Sequence, residues 1–130
     1  MSHQPAVKLI AFLKKKPTLS MEEFERYYET KHVPLVLSIT PTISRYVRNY
    51  VNPDSTFSDL NTMTSPICDV VTEAWFDTEE DLRKFQEDAM KPGAREKVIE
   101  DELNFLDRKS IRMFLVRERG GKLSSTTSTA

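Results

Sequence analysis

The segment CDVVTEAWF at residues 68–76 is the strongest strand signal in the chain, and it is apolar on both faces. Successive side chains of a strand point to opposite faces. Val71 and Trp75 therefore share one face, and the even-numbered residues from Cys68 to Phe76 share the other. Large apolar groups on both faces require cover on both sides. The segment predicts a sheet with helices on one face and a second copy of the chain, packed sheet to sheet, on the other.

The order of the predicted elements narrows the fold further. Strands are predicted near residues 7–15, 44–51, 68–76 and 111–117, with one helix after the first strand and two helical stretches before the last. This β-α-β-β-α-(α)-β order is that of the split βαβ, ferredoxin-like arrangement. We therefore expect an α+β fold with a four-stranded antiparallel sheet and helices on one face.

The ends of the chain set the expected domain boundaries. The segment GGKLSSTTSTA at residues 120–130 is polar and rich in small residues, a composition typical of disorder. We expect a flexible N-terminus at residues 1–6, one domain at residues 7–117 and a disordered tail at residues 118–130. A chain of 130 residues is long enough to bury a single core without disulfides.

The first helix has a defined start and an uncertain end. Ser20 and Glu23 have the spacing of a capping box, so the helix is predicted to begin at Met21. Pro34 lacks an N–H and disfavours helical geometry in the residue before it. The helix is therefore expected to break or restart near His32.

Residues 52–66 contain turn formers without any apolar period and are predicted to form a long loop. Loops of this length often serve as lids or binding elements. The second helix is predicted to begin after Thr78, with Leu82, Phe85 and Ala89 on one face.

Charge and composition exclude several classes of function. The 19 basic and 20 acidic residues nearly cancel, so no net field favours nucleic acid or an anionic membrane. No apolar run is long enough to cross a bilayer, and the segment MSHQPAVK lacks the features of a secretory signal. The lone Cys68 cannot form an internal disulfide. These observations predict a cytoplasmic protein with no nucleic-acid partner and no membrane span.

Motifs that hold metals or cofactors are missing from the sequence. There is no C-x-x-C or H-x-x-x-H pattern, and only three glycines are present. We therefore expect no metal site and no cofactor.

His32 has two interpretations from its position alone. As a residue at the end of a helix, it is stabilised in its charged form by the negative end of the helix dipole. As a functional group, it is a base or proton donor at the rim of a pocket, with Tyr28 one turn earlier on the same side.

The acids of the third strand are also ambiguous. Asp69 and Glu73 share one strand face, in a segment too apolar to hold unpaired carboxylates. They are either paired with Arg45, Arg48 or Arg112, or held in a cavity with altered pKa values.

Glu102 is a third acid in an apolar setting. It projects into the side of a helical stretch formed by Val98, Ile99, Phe105 and Leu106, so it is expected to point inward. A purely structural role for Glu102 requires a buried partner.

The second strand is rich in aromatic and basic residues. Tyr46, Arg48 and Tyr50 lie on one face, and Asn49 lies on the other. Such residues suit a planar oxygenated ligand and suit a dimer interface equally well. Cys68 is interpreted as a small strand residue, because no cationic neighbour is evident to lower its pKa.

Four segments together resemble the EthD-like family of the dimeric α+β barrel superfamily. They are F-x-x-x-Y-x-x-x-H-x-P-L at residues 24–35, RNY at 48–50, D-V-V-T-E-x-W-F at 69–76 and D-E-x-x-F-L-D at 101–107. The resemblance covers about residues 7–116, and it is greatest to the fungal branch found beside polyketide synthases.

The resemblance implies a homodimeric, cofactor-independent lyase in secondary metabolism. Its expected substrate is a small anthrone-type aromatic polyketide acid, and its expected reaction is decarboxylation or dehydration. The alternatives are a polyketide cyclase, a cofactor-free anthrone oxygenase, and a non-catalytic protein that binds an intermediate. Plant-type cyclases of this superfamily use further histidines, and the segments VKLIAF and KPGAREK have none. A multi-histidine aldol mechanism is therefore not expected.

The same resemblance, together with the patterns above, yields the candidate site residues. The expected catalytic residues are His32, Tyr50, Glu73 and Asp69. The expected substrate-binding residues are Tyr28, Tyr46, Arg48, Asn49, Trp75, Glu102 and Phe105. The family places its pocket between sheet and helices, a face more naturally lined by Val70, Thr72 and Ala74. Either the two strand acids face the dimer interior and are structural, or the assignment of the faces is reversed.

Overall fold

The computed structural model describes residues 7–123, which form six strands and four α-helices. The predicted flexible segment 1–6 and residues 124–130 of the predicted tail lie outside the described residues. The strands are β1 Val7–Leu13, β2 Arg45–Tyr50, β3 Phe57–Asp59, β4 Thr62–Met63, β5 Val70–Phe76 and β6 Arg112–Val116. The helices are α1 Met21–Tyr27, α2 Val33–Ile39, α3 Glu79–Met90 and α4 Ala94–Glu102. A π-helical turn, Tyr28–His32, joins α1 to α2, and short 3₁₀ turns lie at Pro53–Ser55 and Arg108–Ser110.

The main sheet confirms the predicted fold class. Its four strands are antiparallel neighbours in the order β2-β5-β1-β6, and the helices pack on one face, as in a ferredoxin-like α+β fold. In β5 the even-numbered residues are buried and the odd-numbered residues are half-buried. The alternation predicted for this strand is therefore confirmed, although regular pairing begins at Val70 rather than at Cys68.

The first helix begins as predicted, and helical backbone continues beyond it. The Ser20 hydroxyl accepts from the Glu23 backbone, and the Glu23 carboxylate accepts from the Ser20 backbone. The backbone stays helical past Pro34, because the preceding turn widens and the N–H of Val33 donates to the Tyr28 carbonyl five residues earlier. Of the two predicted outcomes the structure therefore shows the restart: α2 begins at Val33 in a shifted register, and the chain does not leave the helical conformation.

The helix layer and the sheet share an aromatic core. Phe24, Tyr28, Phe105 and Val70 are each at most 1% exposed, and the ring of Phe105 packs against the ring of Phe24 at a centroid distance of 5.8 Å. Phe105 lies just after α4, so this cluster joins α1 to the end of α4. Burial of large apolar side chains is the main force that holds these helices on the sheet.

The two later helices begin where expected, but α4 ends at Glu102, before Phe105 and Leu106, which were expected to share its apolar side. The Thr78 hydroxyl accepts from the Asp81 backbone and caps α3, as predicted. Pro92 and Gly93 separate α3 from α4, and Gly93 has a φ of 88°, a conformation that side-chain-bearing residues rarely adopt. The described residues contain no helix with the length and apolar character to cross a membrane.

Residues 52–66 are more ordered than the predicted loop. They contain the 3₁₀ turn and a small hairpin of β3 and β4, in which the Asp59 side chain accepts from the Asn61 backbone. Strands of two or three exposed residues leave no readable period in a sequence, which explains the difference. At the other end, residues 117–123 form no helix or strand, but the Glu118 carboxylate accepts from the Lys8 ammonium at 3.0 Å.

We predict that Phe24→Ala lowers the free energy of unfolding by about 3–5 kcal/mol, because it removes a fully buried ring from the aromatic core. Urea denaturation followed by circular dichroism measures this loss. The matched control is Phe57→Ala, since Phe57 is 52% exposed and its removal should change the value by less than about 0.5 kcal/mol. Equal losses in the two variants would contradict the assignment of the core.

Candidate active site

A cavity of about 380 Å³ lies between the helices and the sheet. Its floor is formed by the small side chains of Ala11, Thr72 and Ala74 on the two central strands. Thr72 is paired with Ala11 across the strands, so these two small residues lie side by side. Protein interiors are close-packed, and a run of small residues beneath the helices leaves the space open. The volume falls in the range of small-molecule sites.

The walls of the cavity are mostly apolar. The apolar side chains of the walls come from β1, β6, α2, α3, α4 and two connecting segments: Leu9, Leu13, Val36, Ile39, Ile43, Phe85, Ala89, Met90, Val98, Ile99, Ile111 and Met113. The polar groups are fewer: Tyr28, His32, Thr40, Tyr46, Thr72, Arg95, Glu102 and Arg108. A mainly apolar cavity with a few polar groups that point into it is typical of a binding site for a small organic ligand.

His32 is held in the cavity wall by a chain of hydrogen bonds. Its Nδ1 lies 2.8 Å from Oδ2 of Asp101, and Oδ1 of Asp101 accepts from the Tyr27 hydroxyl at 2.7 Å. The Tyr27 oxygen in turn accepts from the Asn104 amide at 2.8 Å. A carboxylate at this position keeps the proton on Nδ1, so that the lone pair of the neutral ring is on Nε2. The Phe105 ring packs against the imidazole at a centroid distance of 4.8 Å and fixes its plane.

The other ring nitrogen of His32 opens onto the cavity. Within residues 7–123, each side-chain nitrogen or oxygen that is sealed from solvent has a hydrogen-bond partner. Nε2 of His32 has no partner among these residues, so it is not one of the sealed atoms. Nε2 is therefore accessible, and the residue that carries it is only 4% exposed and lines the cavity. The imidazole does not end a helix, because α2 continues to Ile39, so the interpretation of His32 as a helix-terminal residue is wrong.

Three hydroxyl groups meet on the cavity surface near β2 and β5. The Tyr28 hydroxyl lies 2.7 Å from the Thr72 hydroxyl and 3.4 Å from the Tyr46 hydroxyl. Burial raises the pKa of Tyr28 and raises the pKa of Tyr46 well above its usual value. Both phenols are therefore neutral near pH 7 and are able to donate hydrogen bonds to an oxygen of a bound ligand.

Arg48 and Tyr50, both predicted site residues, lie beside the cavity rather than in it. The Arg48 guanidinium donates twice to the Glu29 carboxylate, at 2.8 and 2.6 Å, and the Tyr50 hydroxyl donates to the same carboxylate at 2.6 Å. The hydrogen bond from Arg48 lowers the pKa of Glu29, and burial raises the pKa of Tyr50. Neither residue lines the cavity. The predicted roles of Tyr50 in catalysis and of Arg48 in binding require contact with a ligand in the cavity, and their positions do not provide that contact.

Glu102 points inward as predicted and has a partner that sequence reasoning missed. It is 8% exposed, lines the cavity, and accepts from Nε of Arg108 at 2.9 Å. Phe105 is fully buried and contacts His32, but it does not itself line the cavity. Its predicted role in binding is therefore replaced by support of the imidazole.

Asp69 and Glu73 lie away from the cavity, on the opposite face of the sheet, so their expected catalytic roles are corrected. Oδ2 of Asp69 accepts from the Lys15 backbone at 2.8 Å and joins β1 to the start of β5. Glu73 pairs with the Lys8 ammonium at 2.5 Å and accepts from the Asn49 amide at 2.9 Å. The strand acids are thus structural. The arginines predicted as their partners are not bonded to them, and Lys8 was missed because its contact depends on the strand register.

Asn49 and Trp75 share that outer face. Trp75 lies between the Lys8 ammonium and the Arg45 guanidinium, each 4.5 Å from its ring centroid. The predicted contacts of Asn49 and Trp75 with a cavity ligand are therefore not formed within one chain. Among the described residues no cluster of three or more acids, histidines and cysteines is placed to hold a metal ion.

The polar cavity residues Thr40, Thr72, Arg95 and Arg108 and the supporting Asp101 were not among the predicted site residues, nor was the apolar lining. For Thr72 the inward alternation of β5 was a usable signal. For Asp101 the only signal is its place before Glu102 in the motif at residues 101–107, and nothing in that motif indicates a contact with a residue 69 positions earlier.

Comparisons with known proteins agree with this architecture. The EthD domain family matches residues 16–109 of the chain. An EthD family protein of Bacillus halodurans is 19% identical, with a TM-score of 0.59 over 88% of this chain and 99% of that protein. An EthD-like protein of Ralstonia eutropha is 17% identical, with a TM-score of 0.59 over 94% and 97% of the two chains. A protein of unknown function from Bacteroides fragilis, described as dimeric with a ferredoxin-like fold, is 14% identical, with a TM-score of 0.55 over 90% and 100%. No curated protein matches the chain significantly.

We predict that Glu73→Gln lowers the free energy of unfolding at pH 7 by about 1–2 kcal/mol, because Lys8 loses its closest charged partner. The hydrogen bond from Lys8 lowers the pKa of Glu73 in the folded state. Its stabilising effect is therefore present above the unfolded pKa and is lost as the pH falls through the folded pKa. The difference between wild type and Glu73→Gln should shrink from about pH 5 to pH 3.

Urea titrations at several pH values measure this difference, and Glu100→Gln, at an exposed position of α4, is the control. A difference between wild type and Glu73→Gln that stays constant down to pH 3 would contradict the ion pair.

Proposed function

We propose that the chain, which belongs to the EthD domain family, is a cofactor-independent lyase that acts on an anthrone-type aromatic polyketide acid. The observation that carries the proposal is the buried imidazole of His32, held by Asp101 through Nδ1 and open to a mainly apolar cavity through Nε2. A cavity of about 380 Å³ with apolar walls suits a planar aromatic body. We further propose a role in secondary-metabolite biosynthesis, and the cytoplasm remains the predicted location.

Decarboxylation of such an acid makes modest demands on the protein. When the carboxylate leaves as CO₂, the electron pair of the broken C–C bond moves into the neighbouring carbonyl and forms an enolate. The neutral hydroxyls of Tyr28, Tyr46 and Thr72 are in position to donate hydrogen bonds to that developing oxyanion. His32, protonated from solvent, then delivers the proton to carbon from Nε2 and returns to its neutral form.

Dehydration of the same class of substrate uses the same groups in a different order. Nε2 of neutral His32 removes the proton next to the carbonyl, and the enolate is again held by the hydroxyl groups. The leaving hydroxyl takes up a proton and departs as water, with the imidazolium as the proton donor. Asp101 acts as a positioning residue in both reactions, because it stabilises the imidazolium and fixes the ring.

We also propose that the chain is a homodimer with the two outer sheet faces in contact. That face carries the half-buried Ile10, Phe12 and Val71 and the exposed Phe114, and no helix of the described chain packs on it. Its charged residues Lys8 and Glu73 are paired with each other, so covering them costs less than covering two unpaired charges. The dimeric description of the Bacteroides fragilis protein, which shares the fold, is consistent with this arrangement.

We predict that the purified protein converts a freshly made aromatic β-keto polyketide acid with loss of CO₂ or loss of water, as read by mass spectrometry. Gain of oxygen would indicate the oxygenase, an isomeric ring-closed product would indicate the cyclase, and tight binding without turnover would indicate the accessory protein. Each of these three results would overturn the lyase proposal.

The variants His32→Gln and Asp101→Asn test the assigned roles. His32→Gln should lower turnover about 10²–10⁴-fold, since it removes the proton donor. Asp101→Asn should lower turnover by up to about 10⁴-fold, since the amide no longer fixes the tautomer. The matched control Glu100→Gln lies next to Asp101 but is exposed, and should leave turnover unchanged. Folded His32→Gln with full turnover would exclude catalysis by this residue.

Phe114→Glu tests the dimer. Phe114 is 41% exposed on the outer face and packs edge-on against Phe12 at a centroid distance of 5.3 Å. An added carboxylate in a sheet-to-sheet contact is costly to bury, so the variant should sediment as a monomer while wild type sediments as a dimer. The control Leu37→Glu, at an exposed position on α2, should remain dimeric. A monomeric wild type at micromolar concentration would contradict the proposal.

A further inference from the structure

One face of α4 forms a wall of the cavity, and its charges lie at its two ends. Arg95, Val98, Ile99 and Glu102 have helical spacing and all line the cavity. Arg95 precedes Glu102 by seven residues, which separates them by about 10 Å along the helix axis. The wall therefore carries the basic Arg95 at one end and apolar side chains in the middle. At the other end, next to Asp101, it carries Glu102, whose charge is paired with that of Arg108.

The cavity has more basic than acidic side chains in its walls. Glu102 is paired with Arg108, and no other carboxylate residue lines the cavity. Among the described residues the hydrogen bond of Arg95 runs from its guanidinium to Sδ of Met90 at 3.6 Å, and the neighbouring Glu96 carboxylate accepts from the Gly93 backbone and forms no ion pair with Arg95. Met90 is 60% exposed and also lines the cavity. The Arg95 guanidinium thus lies at the mouth, with its charge available to a ligand.

We infer that Arg95 binds an acidic oxygen of the aromatic substrate, a carboxylate or a phenolate, and thereby sets the direction in which the substrate enters. The substrate class rests on the proposed lyase function. The acidic oxygen at the mouth is distinct from the reacting group, which lies at the inner end with His32 and the hydroxyls. The aromatic body lies against Val98 and Ile99 between the two ends.

The chemistry of the guanidinium supports this role. Its planar donors match the oxygens of a carboxylate or a phenolate, and its weak hydration makes it easier to cover with an aromatic ring than an ammonium group. An exposed ion pair contributes little because water competes for both partners. Cover by the bound ring removes part of that water and strengthens the charge-assisted hydrogen bonds.

Calorimetric titration of the full chain with two unreactive probes tests the inference. The probes are anthracene-2-carboxylate and anthracene-2-carboxamide, which share a ring system and differ in charge. Wild type should bind the acid about three- to tenfold more tightly than the amide. Arg95→Gln should bind the two equally, and Arg95→Lys should keep part of the preference because it keeps the charge. Lys97→Gln is the matched control, since Lys97 is exposed on the same helix and does not line the cavity.

Three outcomes would overturn the inference: no preference for the acid in wild type, an unchanged preference in Arg95→Gln, or an equal loss in Lys97→Gln. Loss of the preference in Arg108→Gln with retention in Arg95→Gln would place the acidic oxygen at the inner end and would also overturn it. Because the probes do not react, failure of the lyase proposal leaves this measurement interpretable. In an active enzyme, Arg95→Gln should raise KM for an acidic substrate and leave kcat unchanged.

Discussion

The contact between His32 and Asp101 joins the π-helical turn to α4 and constrains how these two parts of the helix layer meet. Both side chains are largely withdrawn from water, with 5% and 16% of their surface exposed. A buried imidazole or carboxylate without a partner destabilises the fold. The π-helical turn and the end of α4 must therefore meet in one register. Phe105, three residues after Glu102, packs on the imidazole and locks the same register with apolar contacts.

The fold tolerates the cavity because close packing in another part of the helix layer supplies the stability that the cavity forgoes. Ala11, Thr72 and Ala74 leave the centre of the sheet under-filled, and each missing side chain forgoes the packing that a close-packed interior would supply. The aromatic cluster around Phe24 and Phe105 lies at one end of the same helices and offsets this loss. The aromatic cluster supports the His32 imidazole, while the space next to it stays open as the candidate ligand site.

Local signals in the sequence were sufficient to predict the main helices and strands, but they were insufficient to predict the contacts of the candidate site. The start of the first helix was predictable because Ser20 and Glu23 bond only to each other's backbone, within three residues. The faces of β5 were predictable because alternation is a local property. The partner of His32 lies 69 residues away, and the partner of Glu73 lies on another strand, so both contacts depend on tertiary packing. The π-helical turn was missed because a proline usually ends a helix, and the widened turn satisfies the backbone in a way that residue preferences do not encode.

The two sides of the sheet differ in whether their charged and polar groups have partners within the chain. On the outer face Lys8 is bonded to both Glu73 and Glu118, so its charge is neutralised within the chain and the surrounding apolar residues are free to pack against another surface. On the inner side the Nε2 atom of His32, in the cavity wall, lacks such a partner among the described residues, whereas the exposed Arg95 lies at the mouth. Groups that the chain leaves unsatisfied in an apolar setting gain most from a ligand, because the ligand supplies the interactions that water supplies elsewhere. The strand acids are satisfied within the chain, whereas the cavity groups are the ones left available for a ligand.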